Sequence, residues 1–109
     1  MHTESDLQAI KGELENAQKA RRAGNEGRAR VCARRAAGWA AGFYRREFDE
    51  AFNEENALRN LSWLLENHPE DVIQQAAARL IARVGEDFHL PHTQDPLDDA
   101  GLIIARLLE

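Results

Sequence analysis

Residues 28–46 read RARVCARRAAGWAAGFYRR, and their apolar and charged side chains recur with the period of an α-helix. On a helical wheel at about 100° per residue, small and aromatic side chains share one arc while the arginines lie on the other. The sequence therefore predicts an amphipathic helix with a basic outer face. The predicted inner arc consists of Ala29, Cys32, Ala33, Ala36, Trp39, Ala40, Phe43 and Tyr44.

The composition is that of one small helical domain. The chain has 109 residues, of which 43% are hydrophobic, 30% are charged and 6% are aromatic. Alanine, leucine and arginine are prominent, and these residues favour helix over strand. The length is close to the commonest domain size and is sufficient for a hydrophobic core. We therefore expect residues 1–109 to form a single domain.

The single cysteine and the N-terminal residues bear on the cellular compartment. Cys32 lies on the predicted inner arc, and one cysteine provides neither a disulfide framework nor a cysteine-based zinc site. The N-terminus is polar and acidic, and no segment approaches 18 uninterrupted apolar residues. We expect a soluble cytoplasmic protein without a membrane partner.

Turn and capping residues define the first two helices. Ser5 has the character of a helix cap, and Gly24-Asn25 ends the first helix and caps the second. The second helix is predicted to run from Glu26 to at least Arg46. Its end stays open because residues 47–52 contain neither glycine nor proline.

Three further helices are predicted, and no alternating strand pattern is present. Apolar residues recur at helical spacing after each of three start signals. The first signal is Asn53 as a cap, and the second is Pro69 in a first helical position, with the helix after Pro69 predicted to end at Gly85. The third signal is Asp95 as a cap, followed by Pro96. The predicted fold is all-α, an up-and-down bundle of four main helices plus a shorter fifth helix.

Charge is distributed unevenly along the chain. The net charge is −5, yet residues 19–46 carry +8 and the remainder carries −13. A strongly basic segment in an acidic protein indicates an anionic ligand or partner. Alternatively, acidic helices of the same fold or of a second subunit neutralise it. The candidate anion-binding residues are Arg28, Arg30, Arg34, Arg35, Arg45 and Arg46.

Gly38 and Gly42 lie on the arginine side of the second helix, in line with Val31. Because glycine costs about 1 kcal/mol relative to alanine inside a helix, two outward glycines call for a local explanation. They favour close approach of another helix or of a flat ligand, and a twofold dimer contact is one form of this. Packing of these glycines against the first helix, or simple tolerance of glycine at these positions, stays open.

Trp63 lies off the apolar face of its helix. It is either covered by a loop or part of the same interface.

No metal, cofactor or activated nucleophile is predicted. Imidazole and carboxylate groups occur together in residues 87–95, but their spacing is that of a loop rather than of a helix face. Neither Ser62 nor Cys32 has a visible activating neighbour, and no glycine-rich phosphate loop follows a strand. The weak metal candidates are Asp87, His89, His92 and Asp95.

The layout resembles the HEPN family of small helical bundles. The likeness rests on a first helix ending in residues 20–25 (ARRAGN), a long second helix ending in Phe43-Tyr44, and a leucine-rich third helix. A closing helix then opens with residues 95–100 (DPLDDA), after a loop that contains proline. This resemblance implies dimerisation, and some members are metal-independent ribonucleases or bind nucleotides.

Ribonuclease members of the family carry an arginine followed a few residues later by a histidine, and Arg83 and His89 have a similar spacing. The resemblance implies that Arg83 stabilises a phosphate and that His89 acts as general acid or base. Val84 departs from the polar neighbour common in the family, and Glu86 and Asp87 place negative charge beside the site.

The expected function is therefore a non-catalytic, homodimeric HEPN-like interaction module, whose basic helix docks a partner protein or an anionic ligand. A metal-independent ribonuclease is the alternative. Nucleic-acid binding through the arginines is less favoured, because the net charge is −5 and no aromatic residues are interleaved with those arginines for base stacking.

Overall fold

The computed structural model describes residues 3–82 and 94–108, and these residues form an all-α fold. The five helices are α1 (Glu4–Arg22), α2 (Glu26–Arg46), α3 (Ala57–Asn67), α4 (Asp71–Ile81) and α5 (Pro96–Leu108). The prediction of an all-α bundle is confirmed. No helix within the described ranges is long and apolar enough to cross a membrane.

The central helix is α2, which packs against α1, α3 and α5, while α4 lies against α3 and α5. Its buried side chains are almost all alanines, and they extend beyond the predicted arc to Ala37 and Ala41. Because alanine has a short side chain, neighbouring helices can approach α2 on several sides. The larger core residues come from the surrounding helices and include Leu61, Leu64, Ile73, Leu80 and Ile103.

Local hydrogen bonds explain where the first helices begin and end. Helix α1 starts after Thr3, not at Ser5, because Thr3 and Asp6 form a reciprocal capping box with bonds of 2.9 and 3.1 Å. Gly24 has a φ of +82°, which glycine adopts without strain, and Asn25 accepts the backbone N–H of Arg28 at 3.0 Å. The predicted turn between the first two helices is confirmed.

The later helices differ from prediction at their starts. Helix α3 is capped by Asn56 instead of Asn53, with the Arg59 N–H donating to Asn56 Oδ1 at 3.0 Å. Helix α4 begins at Asp71, because the backbone is still extended at Glu70, after Pro69. The predicted end at Gly85 lies outside the described residues. Both helices therefore have 11 residues, and α5, with 13, is not the shorter helix that the sequence suggested.

An ion pair joins the end of α1 to the start of α5. Arg21 donates to both carboxylate oxygens of Asp95, at 2.7 and 2.9 Å, and to Glu26 at 2.9 Å. Asp95 also caps α5 as predicted, accepting the Leu97 N–H at 2.9 Å. The hydrogen bonds from Arg21 lower the pKa of Asp95, although partial burial opposes this.

Because folding lowers the pKa of Asp95, the ionised pair stabilises the fold above the ordinary aspartate pKa of about 4, and this contribution is lost as the pH falls below it. We expect Asp95→Asn to reduce the fall in Tm between about pH 5 and pH 3, because asparagine retains the cap but not the charge. Thermal unfolding across this range tests the prediction, with Asp98→Asn as an exposed control on the same helix. An equally large fall in Tm over this pH range for the wild type and Asp95→Asn would contradict the prediction.

Candidate functional site

The arginines of α2 do not form one continuous basic face. Arg28 is exposed, and Arg30 and Arg34 are half-buried against the end of α4. Arg30 donates to the Ala82 carbonyl at 3.3 Å, and Arg34 donates to the Leu80 carbonyl at 2.9 Å. These bonds satisfy carbonyl groups that a helix end leaves unpaired, and positive charge is favourable there. Part of the predicted anion-binding set therefore has a structural role.

Three of the arginines meet in a cavity of about 530 Å³ on the surface of α2, which we call the basic groove. Apolar side chains form the floor beside these arginines, and the segment before α3 contributes two glutamates. The residues that line the groove are Ala9, Val31, Arg34, Arg35, Trp39, Gly42, Phe43, Arg46, Glu54, Glu55, Ala57 and Asn60. The groove therefore has an apolar floor and charges of both signs.

The polar side chains of the groove are only partly engaged within the chain. Arg46 donates Nε–H to the Phe52 carbonyl at 3.2 Å. Arg35 donates a guanidinium N–H to the carboxylate of the buried Glu13 at 3.4 Å. Glu54 accepts from Arg59 at 3.0 Å, and this hydrogen bond lowers its pKa. Since a guanidinium has five N–H donors, each groove arginine keeps donors for a further acceptor.

Gly38 and Gly42 are buried by the first turn of α3 and the residues that lead into it. A Cβ atom at position 38 would lie 2.5 Å from the Ala57 Cα, and one at position 42 would lie 3.0 Å from Asn60 Nδ2. The glycines thus do permit a close approach, but the approaching segment belongs to the same chain. Gly38 is buried by Ala57 of its own chain, so it is not open to a second subunit, whereas Gly42 lines the basic groove. The dimer contact itself stays a prediction. Val31 is 39% exposed and lines the groove.

A second cavity of about 330 Å³ lies at the end of α2, and we call it the aromatic pocket. It is lined by Tyr44, Arg45, Phe48, Asp49, Phe52 and Trp63. The Arg45 guanidinium carbon lies 3.9 Å from the centre of the Phe52 ring and 4.6 Å from that of Trp63. Trp63 is therefore half-buried within the chain, next to an arginine that the sequence assigned to anion binding.

All six aromatic residues in the described part of the chain line one of these two cavities. Trp39 and Phe43 face the basic groove, and the other four surround the aromatic pocket. Phe48 and Phe52 were not predicted as site residues. They lie four residues apart in the segment after α2, and this spacing is the sequence signal that could have identified them. No aromatic residues were expected to be interleaved with the arginines for base stacking, yet Trp39 and Phe43 line the basic groove beside arginines of the same helix. The fold also brings Phe52 and Trp63 to Arg45 from other segments.

The predicted catalytic pair, Arg83 and His89, lies outside the described residues, as do Asp87 and His92. The ribonuclease alternative therefore stays a prediction. Within residues 3–82 and 94–108, no group of three or more histidine, cysteine, aspartate or glutamate side chains could hold a metal ion.

Cys32 is buried in the core beside Glu13. Burial, together with a hydrogen bond to Glu13, raises the pKa of the Cys32 thiol. Because the thiolate is the reactive form, burial and the raised pKa make the Cys32 thiol less reactive.

A comparison of this chain with family models, functionally characterised proteins and solved structures finds no match.

Proposed function

We propose that this chain is an HEPN-like interaction module that forms a homodimer through the basic groove. The observation that carries this proposal is that one patch contains both arginines and glutamates along an apolar floor. In a twofold contact, the same patch of each subunit meets itself, so the residues must complement one another. A patch with charges of both signs meets that requirement.

The individual side chains support a contact between two copies. Glu55 is exposed on the segment before α3, and Arg35 is exposed on α2. A twofold axis through the groove brings the arginines of one subunit towards the glutamates of the other. Such pairs mainly set the orientation of the subunits and the rate of association.

The apolar floor supplies the larger part of the binding free energy in this proposal. Val31, Trp39 and Phe43 form that floor, and Val31 is exposed although it is apolar. Aromatic and arginine side chains are the residues most often found at energetic hot spots of interfaces. Removing this surface from water favours association.

A simple anion fits the groove less well than a second copy does. Glu54 and Glu55 face the same space as the arginines and repel negative charge. The net charge of −5 also disfavours strong association with a polyanion. The resemblance to the HEPN family, in which bundles commonly dimerise, supports the proposal.

The test is a charge reversal at the groove, followed by solution mass over a protein dilution series. We expect a wild-type dimer with a Kd on the order of micromolar or tighter. Glu55→Arg is expected to weaken it about tenfold or more at low salt, because arginine then faces arginine across the contact. Glu50→Arg is the matched control, since Glu50 is exposed on the same segment but does not line the groove.

A second variant tests the apolar floor. Because Val31 is exposed in the single chain, Val31→Glu places a charge on that floor without burying it in the core. We expect this variant to be monomeric, with the same helical circular dichroism as the wild type. A wild-type chain that stays monomeric up to about 100 μM would overturn the proposal. Equal effects of Glu55→Arg and Glu50→Arg would also overturn it.

A further inference from the structure

The aromatic pocket is a second surface whose composition the dimer proposal does not use. Four aromatic rings surround about 330 Å³, and Tyr44 contacts Phe48 edge-on at 5.1 Å between ring centres. Phe48 is 74% exposed, more than any other large apolar residue in the described part of the chain. An exposed phenylalanine beside three other rings is typical of a binding surface, because aromatic side chains bury a large area on contact.

The charges of the pocket favour a neutral occupant. Arg45 and Asp49 both line it, so their charges balance. Arg45 also occupies the position over Phe52 and Trp63 that a ligand cation would take. A free anion would meet Arg45 but also Asp49. The pocket therefore favours a ligand without net charge.

Arg45 has hydrogen-bond donors to offer such a ligand. Its guanidinium carbon lies close to the centres of the Phe52 and Trp63 rings, and its hydrogen bond to Asn60 Oδ1 is long, at 3.5 Å. A guanidinium has five N–H donors, and those left over suit a carbonyl oxygen. The pocket thus offers aromatic faces together with hydrogen-bond donors.

Three common modes of peptide recognition can be compared with this geometry. Strand addition needs an exposed sheet edge, and the described residues contain no strand. A helical ligand needs a groove several turns long, whereas this pocket is a short cavity lined by six residues. A polyproline II segment needs aromatic faces for its pyrrolidine rings and donors for its unpaired carbonyls, and the pocket supplies both.

We propose that the aromatic pocket binds a neutral, proline-rich segment of a partner protein. The pyrrolidine rings pack on the exposed surface of Phe48 beside Tyr44, and a backbone carbonyl of the segment accepts from Arg45. The segment is already extended before it binds, so little conformational entropy is lost on binding. This site is separate from the basic groove and does not depend on dimerisation.

The experiment uses the fluorescence of Trp63 in a Trp39→Phe background, in which Trp63 is the only tryptophan. The probe is a short oligoproline with an acetylated N-terminus and an amidated C-terminus. We expect a saturable change in emission with a Kd of about 10 to 500 μM, and little dependence on salt. An uncharged alanine-glutamine peptide of the same length is expected to give no saturable change.

Two variants of the Trp39→Phe chain locate the binding. Phe48→Ala is expected to weaken binding about tenfold or more without changing stability, because the side chain is mostly exposed. Leu58→Ala is the matched control, since Leu58 is an exposed apolar residue on α3 outside the pocket, and it is expected to bind as before. Glu55→Arg is also expected to bind as before, which separates this proposal from the dimer.

Three results would overturn the proposal. The first is no saturable change up to about 5 mM peptide. The second is equal binding by Phe48→Ala and Leu58→Ala. The third is binding that requires a free carboxylate on the peptide and is lost at high salt, which would identify an anion held by Arg45.

Discussion

Gly38→Ala is expected to lower the free energy of unfolding by about 1 to 2 kcal/mol, although alanine is the better helix former. The added methyl group would overlap Ala57, lying 2.5 Å from its Cα and 3.0 Å from its carbonyl oxygen. Overpacking of this kind costs about 1 to 3 kcal/mol and occasionally more. Backbone atoms cannot rotate away as a flexible side chain can, so the loss exceeds the gain in helix propensity of about 1 kcal/mol.

The matched control is Gly12→Ala on α1. A Cβ atom at position 12 meets nothing within 4 Å, so only the propensity gain applies. We expect this variant to be more stable than the wild type by about 0.5 to 1 kcal/mol. Chemical denaturation at one protein concentration measures both changes. If Gly38→Ala were stabilised as much as Gly12→Ala, the start of α3 would not pack closely against α2 at Gly38.

The same substitution links the fold to the proposed function. Glu54 and Glu55 line the basic groove only because the segment that carries them packs on α2 at Gly38 and Gly42. Displacing that segment is therefore expected to weaken dimerisation as well as stability. In the proposed dimer, Gly38 therefore supports the interface without contacting the second subunit.

Asp99→Ala is expected to cost about 3 kcal/mol of stability. Asp99, at the start of α5, is only 4% exposed, and both of its carboxylate oxygens accept from Arg79 of α4, at 2.8 and 2.9 Å. Charge-assisted pairs of this geometry are strong, and truncating one partner of a buried pair costs about 3 to 5 kcal/mol. We take the lower end because Arg79 is partly exposed.

Asp98→Ala is the control for this prediction. Asp98 precedes Asp99 in the first turn of α5 and is exposed, so both substitutions remove the same favourable interaction with the helix dipole. The difference between the two therefore measures the buried ion pair. We expect Asp98→Ala to change stability by less than about 1 kcal/mol in a urea titration. Similar losses for both variants would mean that the pair between α4 and α5 contributes little.

Sequence patterns were most accurate where the controlling interactions are local. The start of α2, the turn at Gly24 and the capped start of α5 all depend on hydrogen bonds within a few residues. The start of α3 could not be predicted in the same way, because Asn53 and Asn56 are both good caps. The choice between them depends on how residues 54–57 cross α2, which is a tertiary contact.

The sequence by itself determined that the chain is helical, that α2 is a central amphipathic helix, and that its glycines permit close approach. Each of these follows from periodicity, propensity or backbone sterics, which act over one or two turns. Only the tertiary structure decided which segment approaches the glycines and how the arginines are divided between the end of α4, the basic groove and the aromatic pocket. Their partners, such as the Leu80 carbonyl and the rings of Phe52 and Trp63, come from other segments of the chain. Contacts between distant segments depend on how the helices pack, and no local pattern encodes them.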